Sequence, residues 1–237
     1  MTLAEVVVQN PAAADIFDDL NIDYYCKGHR LLGDALREHN LSVDDFSGEL
    51  ASVAQPRRMQ LAEPDWQTAP LDKLIDHIVR KHHGYLNREL PALDQLMAEM
   101  QVQSPVNTAV FQNLKSTVQR LRRDLELQMR KEEAILFPAI ANLEVRAQLG
   151  GHPTPSQFGS VGNLAKVLGQ EHQKTARELD EIRQLTDASI RPSDSDFAMQ
   201  TLFQRLKSLA SDMHRHVHLE NNVLFPRAAA LERRETK

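Results

Sequence analysis

The feature that most constrains this chain is an internal repeat that carries charged residues into apolar seams. Residues 131–144, KEEAILFPAIANLE, recur at 219–232 as LENNVLFPRAAALE, with Glu132 lying over Glu220 at an offset of 88. Upstream of each copy, His83 is followed by Arg88-Glu89-Leu90 and His172 by Arg177-Glu178-Leu179. Each half therefore supplies a helical hairpin. Two stacked hairpins make a four-helix bundle, the architecture in which facing helices aim His and Glu inward at a pair of metal ions.

The rest of the composition agrees with an all-α chain. Its 237 residues leave room for a bundle of about 160 residues and a small additional domain. A 41% hydrophobic share supports real cores, while 5% aromatic residues and 9 glycines argue for helices over a sandwich or barrel. A net charge of −5 gives no basic field for nucleic acid or anionic membrane, so neither partner is expected. Uninterrupted apolar stretches such as 134–137 fall far short of the ~20 residues of a membrane span, and no basic segment precedes an apolar one at the amino terminus. The lone Cys26 has no internal disulfide partner and fits a reducing compartment. The expected location is the cytoplasm.

Three regions are expected. Residues 1–54 read as a small helical amino-terminal domain holding Cys26, with a capping box from Thr2 to Glu5, Pro11 opening a second helix and a cap from Ser42 to Asp45. Residues 55–70 carry Pro56, Pro64 and Pro70 without apolar periodicity and read as a linker. The bundle spans 71–232. Its first stripe is Ile75, Val79, His83, Leu86, Leu90, Leu93 and Met97; its second is Leu114, Val118, Leu121, Leu125, Gln128, Glu132, Ile135 and Ala139. The third is Val161, Leu168, His172, Leu179 and Ile182, and the fourth Leu202, Leu206, Leu209, Met213, His216, Glu220 and Val223.

A glutamate in a bundle seam is costly unless it is paired or binds metal. A lone seam histidine is more often a satisfied core residue, but five such residues in register across four helices point to a metal site. Glu132 and Glu220 are expected to bridge two ions, with His83, His172 and His216 as caps, in a dinuclear iron or manganese centre. The repeat has one defect: four residues before Glu220 stands His216, but four before Glu132 stands Gln128. A glutamine oxygen can coordinate weakly or hold a water, and a degenerate site of reduced occupancy is equally consistent. His82, His214 and His218 point away from the seam, and His29, His39, His77 and His152 have no repeat partner; the latter four read as surface or supporting residues.

With KEEAILFP at 131–138, HVHLENNVLFPRA at 216–228, Glu171-His172 and IDHIVRKHHGYLNRELP at 75–91, the chain resembles the iron-sulfur cluster repair di-iron proteins. These join a small amino-terminal domain to a hemerythrin-like up-down bundle. The resemblance implies two irons at His83, Glu132, His172, His216 and Glu220, with the remaining family histidine at the position of Gln128. It further implies repair of clusters damaged by nitric oxide or oxidants by releasing or supplying iron, in the cytoplasm, with damaged iron-sulfur proteins or apo-cluster acceptors as partners. That role is a metal-binding stress-response role more than an enzymatic one. The segment LNIDYYCKGHRLLGDAL is similar to the family segment with adjacent cysteines, but here the pair is Tyr25-Cys26. Cys26 is left as a lone nucleophile or ligand, or a structural thiol. Two other functions stay open: a hemerythrin-like oxygen or nitric oxide sensor, and an interaction bundle whose metal site has decayed. Dimerisation through the small domain is a further option.

Overall fold

The computed structural model describes residues 1–57, 64–103, 109–149, 160–189 and 197–235. Four short helices form the amino-terminal part: α1 (Leu3–Gln9), α2 (Ala13–Asp19), α3 (Leu32–Glu38) and α4 (Val43–Arg57). The capping box is formed as the spacing predicts, with Glu5 N–H donating to Thr2 Oγ1 at 3.3 Å and Thr2 N–H donating to the Glu5 carboxylate at 2.7 Å. At α4, Asp45 N–H donates to Ser42 Oγ at 3.1 Å. α2 begins just beyond Pro11, whose carbonyl accepts from Ala14 N–H at 3.3 Å. α4 continues through Pro56 to Arg57, into the segment expected as a linker, of which 58–63 lie outside the described residues.

Four long helices follow: α5 (71–103), α6 (109–149), α7 (Val161–Ser189) and α8 (197–235). Among the described residues the sole β contact is one bridge between Thr2 and Leu31, so the chain is all-α. Consecutive long helices pack as neighbours and α8 closes on α5, giving an up-down bundle.

Three of the long helices widen into π-helix next to the polar residues of the repeat: Ile78–His83 in α5, Glu132–Leu136 in α6 and Glu220–Leu224 in α8. The repeated Leu-Phe-Pro explains two of them. Pro138 and Pro226 have no N–H, and their rings crowd the carbonyl four residues back, so the ladder there cannot stay α-helical. Phe137 and Phe225 instead donate to the carbonyls of Glu132 and Glu220, five residues back.

The wide turns of α5 and α6 correct the seams read from periodicity, since the inserted residue shifts the apolar register by one, whereas in α8 the expected stripe from Leu202 to Val223 is buried throughout. In α5 the core residues are Leu74 and Ile78, with Ile75 and Val79 half-buried on the flank; in α6 they are Leu136, Phe137 and Ile140, with Ile135 and Ala139 displaced. α7 has no wide turn, and its expected stripe of Val161, Leu168, His172, Leu179 and Ile182 is buried throughout.

The core is divided. One apolar cluster runs from Leu86 and Leu125 to Met213, another from Leu74 and Phe137 to Val223, and a buried polar layer containing His83, Gln128, Glu132, His172, His216 and Glu220 separates them along the sequence of each helix. The amino-terminal helices keep their own core around Phe17, stacked on Phe46 at 5.3 Å. They sit on α8 through Asp18, which accepts from Ser211 Oγ at 2.8 Å and pairs with His214 at 2.7 Å, and through the Asp15–Arg215 pair.

The final Glu of each repeat copy has a shared task. Glu144 at the end of α6 accepts from the N–H groups of Leu71 and Asp72 at 2.8 and 3.0 Å, and Glu232 at the end of α8 accepts from Val161 and Gly162 at 2.8 and 3.1 Å. Each carboxylate thus caps the first helix of its own hairpin, where orphan N–H groups and the helix dipole favour an anion. Glu144→Ala and Glu232→Ala are each expected to lower unfolding stability by about 1 kcal/mol, read from denaturant midpoints. Unchanged midpoints would contradict the capping role.

Candidate metal centre

The polar layer brings five of the six candidate bundle residues to one point. Glu132 and Glu220 are fully buried, as are His172 and His216, and His83 is almost so. The two carboxylates face each other and split their oxygens between two sides. Glu132 Oε2 lies 3.3 Å from His83 Nε2 and Glu220 Oε1 lies 3.3 Å from His216 Nε2. The other two oxygens, Glu132 Oε1 and Glu220 Oε2, lie 3.5 and 3.1 Å from His172 Nε2. Donor atoms of His83, Glu132, His216 and Glu220 all fall within 4.8 Å of one another.

The donor geometry fits a cation better than a hydrogen-bond network. Glu132 Oε2, His172 Nε2 and both Glu220 oxygens are buried without a hydrogen-bond partner despite these short approaches. His83 Nε2 meets His216 Nε2 at 3.2 Å, an approach that needs a proton or a cation between the two nitrogens. A divalent ion held by His83 and His216 together would satisfy both nitrogens at once. Such nitrogen and oxygen donors suit borderline and hard divalent ions.

Electrostatics agree. Burial and the facing Glu220 press the Glu132 carboxyl upward, yet His172 and His83 outweigh them and leave it below the ordinary value. Burial likewise presses Glu220 upward, but His216 and His172 hold it far below the carboxylate range. Burial pushes His172 down, but the two glutamates outweigh it and lift the imidazole to about 10; the same contest, with Glu132 opposing burial, raises His83. Without an ion, protons stand where cations would.

Gln128 is buried in the layer on the His172 side. It donates its amide N–H to Glu132 Oε1 at 3.0 Å, and its Oε1 lies 3.5 Å from Thr175 Oγ1. In this orientation it shows the carboxylate a hydrogen; coordination through its oxygen needs the amide turned over.

Two supporting residues escaped the sequence reading, although the repeat marks them. The residue after each of these buried glutamates reaches back to the histidine of its own hairpin. Glu133 Oε1 accepts from His83 Nδ1 at 2.7 Å, and Asn221 Oδ1 accepts from His172 Nδ1 at 2.8 Å. Each bond fixes the proton on Nδ1 and frees Nε2 for the centre. Glu133 also borders an open cleft of about 430 Å³ lined by Asn87, Arg122, Glu126, Met129 and Arg130.

The remaining histidines lie elsewhere. His82 is buried, stacks on His216 at 5.5 Å and pairs through Nδ1 with Asp212 at 3.0 Å. His214 stacks on Tyr25 at 4.1 Å, and His218, pushed down to about 4 by burial, accepts from Asn222 at 3.1 Å, so the opposite face of α8 is covered by the amino-terminal domain. His29 and His39 are exposed and His77 is half-buried, while His152 lies outside the described residues. Cys26 is half-buried against the bundle core, its N–H bonded to Asp23 Oδ1 at 2.8 Å; burial and Asp23 push its thiol up to about 12.

The hemerythrin HHE cation binding domain family matches residues 74–156 and 163–236, and the ScdA_N family, described as a domain of unknown function, matches residues 1–54. The chain is 30% identical over 230 residues to the iron-sulfur cluster repair protein YtfE of Escherichia coli O1:K1 and to that of Escherichia fergusonii, covering 97% of both chains in each comparison. It is 31% identical over the same length to the protein of that name from Enterobacter sp. strain 638, with the same coverage.

Two outcomes follow. Because His172 is lifted to about 10, the metal-free protein carries a proton there at pH 7.5 that a divalent ion must displace. Ferrous titration in weak buffer is expected to release at least one proton per chain and to bind more weakly at pH 6 than at pH 8; uptake without proton release would contradict this. Cys26 should be alkylated by iodoacetamide at least about tenfold more slowly than a free cysteine at the same pH, since the thiolate is the reactive form; equal or faster rates would contradict the raised thiol.

Proposed function

The chain belongs to the iron-sulfur cluster repair family that couples an ScdA-type amino-terminal domain to a hemerythrin HHE cation-binding domain, and from that premise we propose that it holds iron between Glu132 and Glu220 and supplies it to iron-sulfur proteins damaged by nitric oxide or oxidants. The observation that carries this reading is the split of the two buried carboxylates, each with one oxygen toward the His83 and His216 pair and the other toward His172. Two ions fit that split. Iron bound there supplies a cargo that can cycle between oxidation states within a nitrogen and oxygen ligand set.

The residues make the two positions unequal. On one side His83 and His216 contribute two imidazoles. On the other His172 contributes one, and Gln128 stands where symmetry asks for the second, with its N–H occupying a lone pair of Glu132. Neutral imidazole and a hydrogen-bonded carboxylate hold a divalent ion less firmly than two imidazoles with two carboxylates, so the His172 side is the donor side. The apolar clusters enclose the layer, and Glu133 and Asn221, accepting from Nδ1 of His83 and His172, keep the Nε2 atoms aimed at it. No described helix is long and apolar enough to cross a membrane. In this reading the protein works in the cytoplasm beside its acceptors, more as a carrier than as an enzyme.

The test is anaerobic purification followed by ferrous loading, metal analysis and transfer to an apo [4Fe–4S] acceptor supplied with sulfide. The expected result is up to two irons per chain and acceptor reconstitution that depends on loading. Glu220→Ala should lose most of the iron, and Gln128→His should release it roughly tenfold more slowly or slower still. Equal iron content in all three proteins would contradict the assigned residues. Reversible spectral change with oxygen or nitric oxide, without iron transfer, would favour a gas sensor instead.

A further inference from the structure

The two halves of the centre differ in what stands behind their histidines. Behind His83 is Glu133, an anionic residue of the bundle itself that is 44% exposed at its side chain. Behind His172 is Asn221, the repeat counterpart of Glu133, and Asn221 is held by the other domain. Its Nδ2 donates to the backbone carbonyl of Tyr25 at 3.3 Å. A carbonyl oxygen can only accept, so the amide nitrogen must face Tyr25 and the amide oxygen must face His172. His172 then keeps its proton on Nδ1 and its Nε2 turned toward Glu132 and Glu220.

The loop that supplies this carbonyl is closely seated. Asn222 donates to the carbonyls of Tyr24 and Tyr25 at 3.2 and 3.1 Å. Gly28 lies against it: a Cβ there would stand 2.5 Å from Asn222 Oδ1 and 2.8 Å from the Tyr24 carbonyl. Only glycine permits that approach. The Tyr25 ring stacks on His214 at 4.1 Å, and Gly28 also accepts from Ala4 N–H at 2.9 Å, which ties the loop to α1.

We propose that Asn221 is a positioning residue through which the Tyr24–Gly28 loop of the amino-terminal domain sets how firmly His172 holds its ion. The domain then acts on the donor side of the centre and leaves the His83 and His216 side alone. A partner or modification that lifts the loop frees the Asn221 amide to turn, the Nδ1 proton of His172 loses its acceptor, and the imidazole loses its fixed orientation. Removing a hydrogen-bond partner of a metal-bound histidine typically weakens metal affinity by about 10- to 100-fold. This inference rests on the two-ion reading of the centre.

The experiment follows capture of ferrous iron by a coloured chelator from full-length protein loaded anaerobically. The parent is expected to release iron in two phases, the faster from the His172 side. Asn221→Ala and Gly28→Ala should each accelerate the fast phase about tenfold or more and leave the slow phase unchanged, whereas Glu133→Ala should accelerate the slow phase. His214→Ala removes the stack without adding bulk and should act as Gly28→Ala does, so the test stands if the glycine variant does not fold. In an Asn221→Asp background, where a carboxylate still accepts from His172 but cannot donate to Tyr25, Gly28→Ala should have no further effect. Mössbauer spectra of the iron-57 protein should show one quadrupole doublet altered by Asn221→Ala and the other retained. A biphasic parent whose fast phase ignores Asn221 and loop variants, or variants that speed both phases alike, would overturn the proposal while leaving the centre intact. A parent that binds no iron, or only one ion, would overturn the two-ion reading and this inference with it.

Discussion

Two carboxylates buried in the middle of a helical bundle govern the rest of this structure. Isolated, each would shed its charge or force the bundle apart, since burial of an unpaired carboxylate costs several kcal/mol even after relaxation. Glu132 and Glu220 remain below ordinary carboxylate values because His172, His83 and His216 surround them. The apolar clusters above and below leave no other way to compensate that charge than protonated imidazoles or cations. The bundle therefore contains a site whose natural occupant is positive, and its four helices are arranged to close it.

The duplication organises the solution. In each hairpin the first helix gives a buried histidine and the second a buried glutamate. The next residue orients that histidine, a Leu-Phe-Pro widens the turn behind the glutamate, and a final glutamate caps the first helix. Where the halves differ, function has a foothold. Gln128 replaces an imidazole and Asn221 replaces an anionic residue, and both departures fall on the His172 side.

Much of this was legible in the letters. The all-α class and the five converging residues follow from repeat positions combined with helical spacing, because those two signals are independent of each other. The register around two of the wide turns did not follow, before His83 and after Glu132, since a stripe drawn at a fixed helical period has no room for a wide turn; there Leu74, Ile78, Leu136 and Ile140 take the core places expected for Ile75, Val79, Ile135 and Ala139. The proline of Leu-Phe-Pro was the available signal. Glu133 and Asn221 were passed over because adjacent residues on a regular helix lie ~100° apart, so neither belongs to the apolar stripe. The burial of His82 and His218 was hidden for a different reason: it depends on Asp212, His216 and the seated amino-terminal domain, partners distant from each other in sequence.

We infer that two cations sit between Glu132 and Glu220, one toward His83 and His216 and one toward His172. Anomalous diffraction at the iron edge, from crystals of the anaerobically loaded full-length protein, tests it most directly. The account predicts two peaks inside the bundle, both within bonding distance of the two glutamates, with the weaker on the His172 side. Peaks at surface carboxylates, or no peak in the polar layer of a loaded crystal, would contradict it.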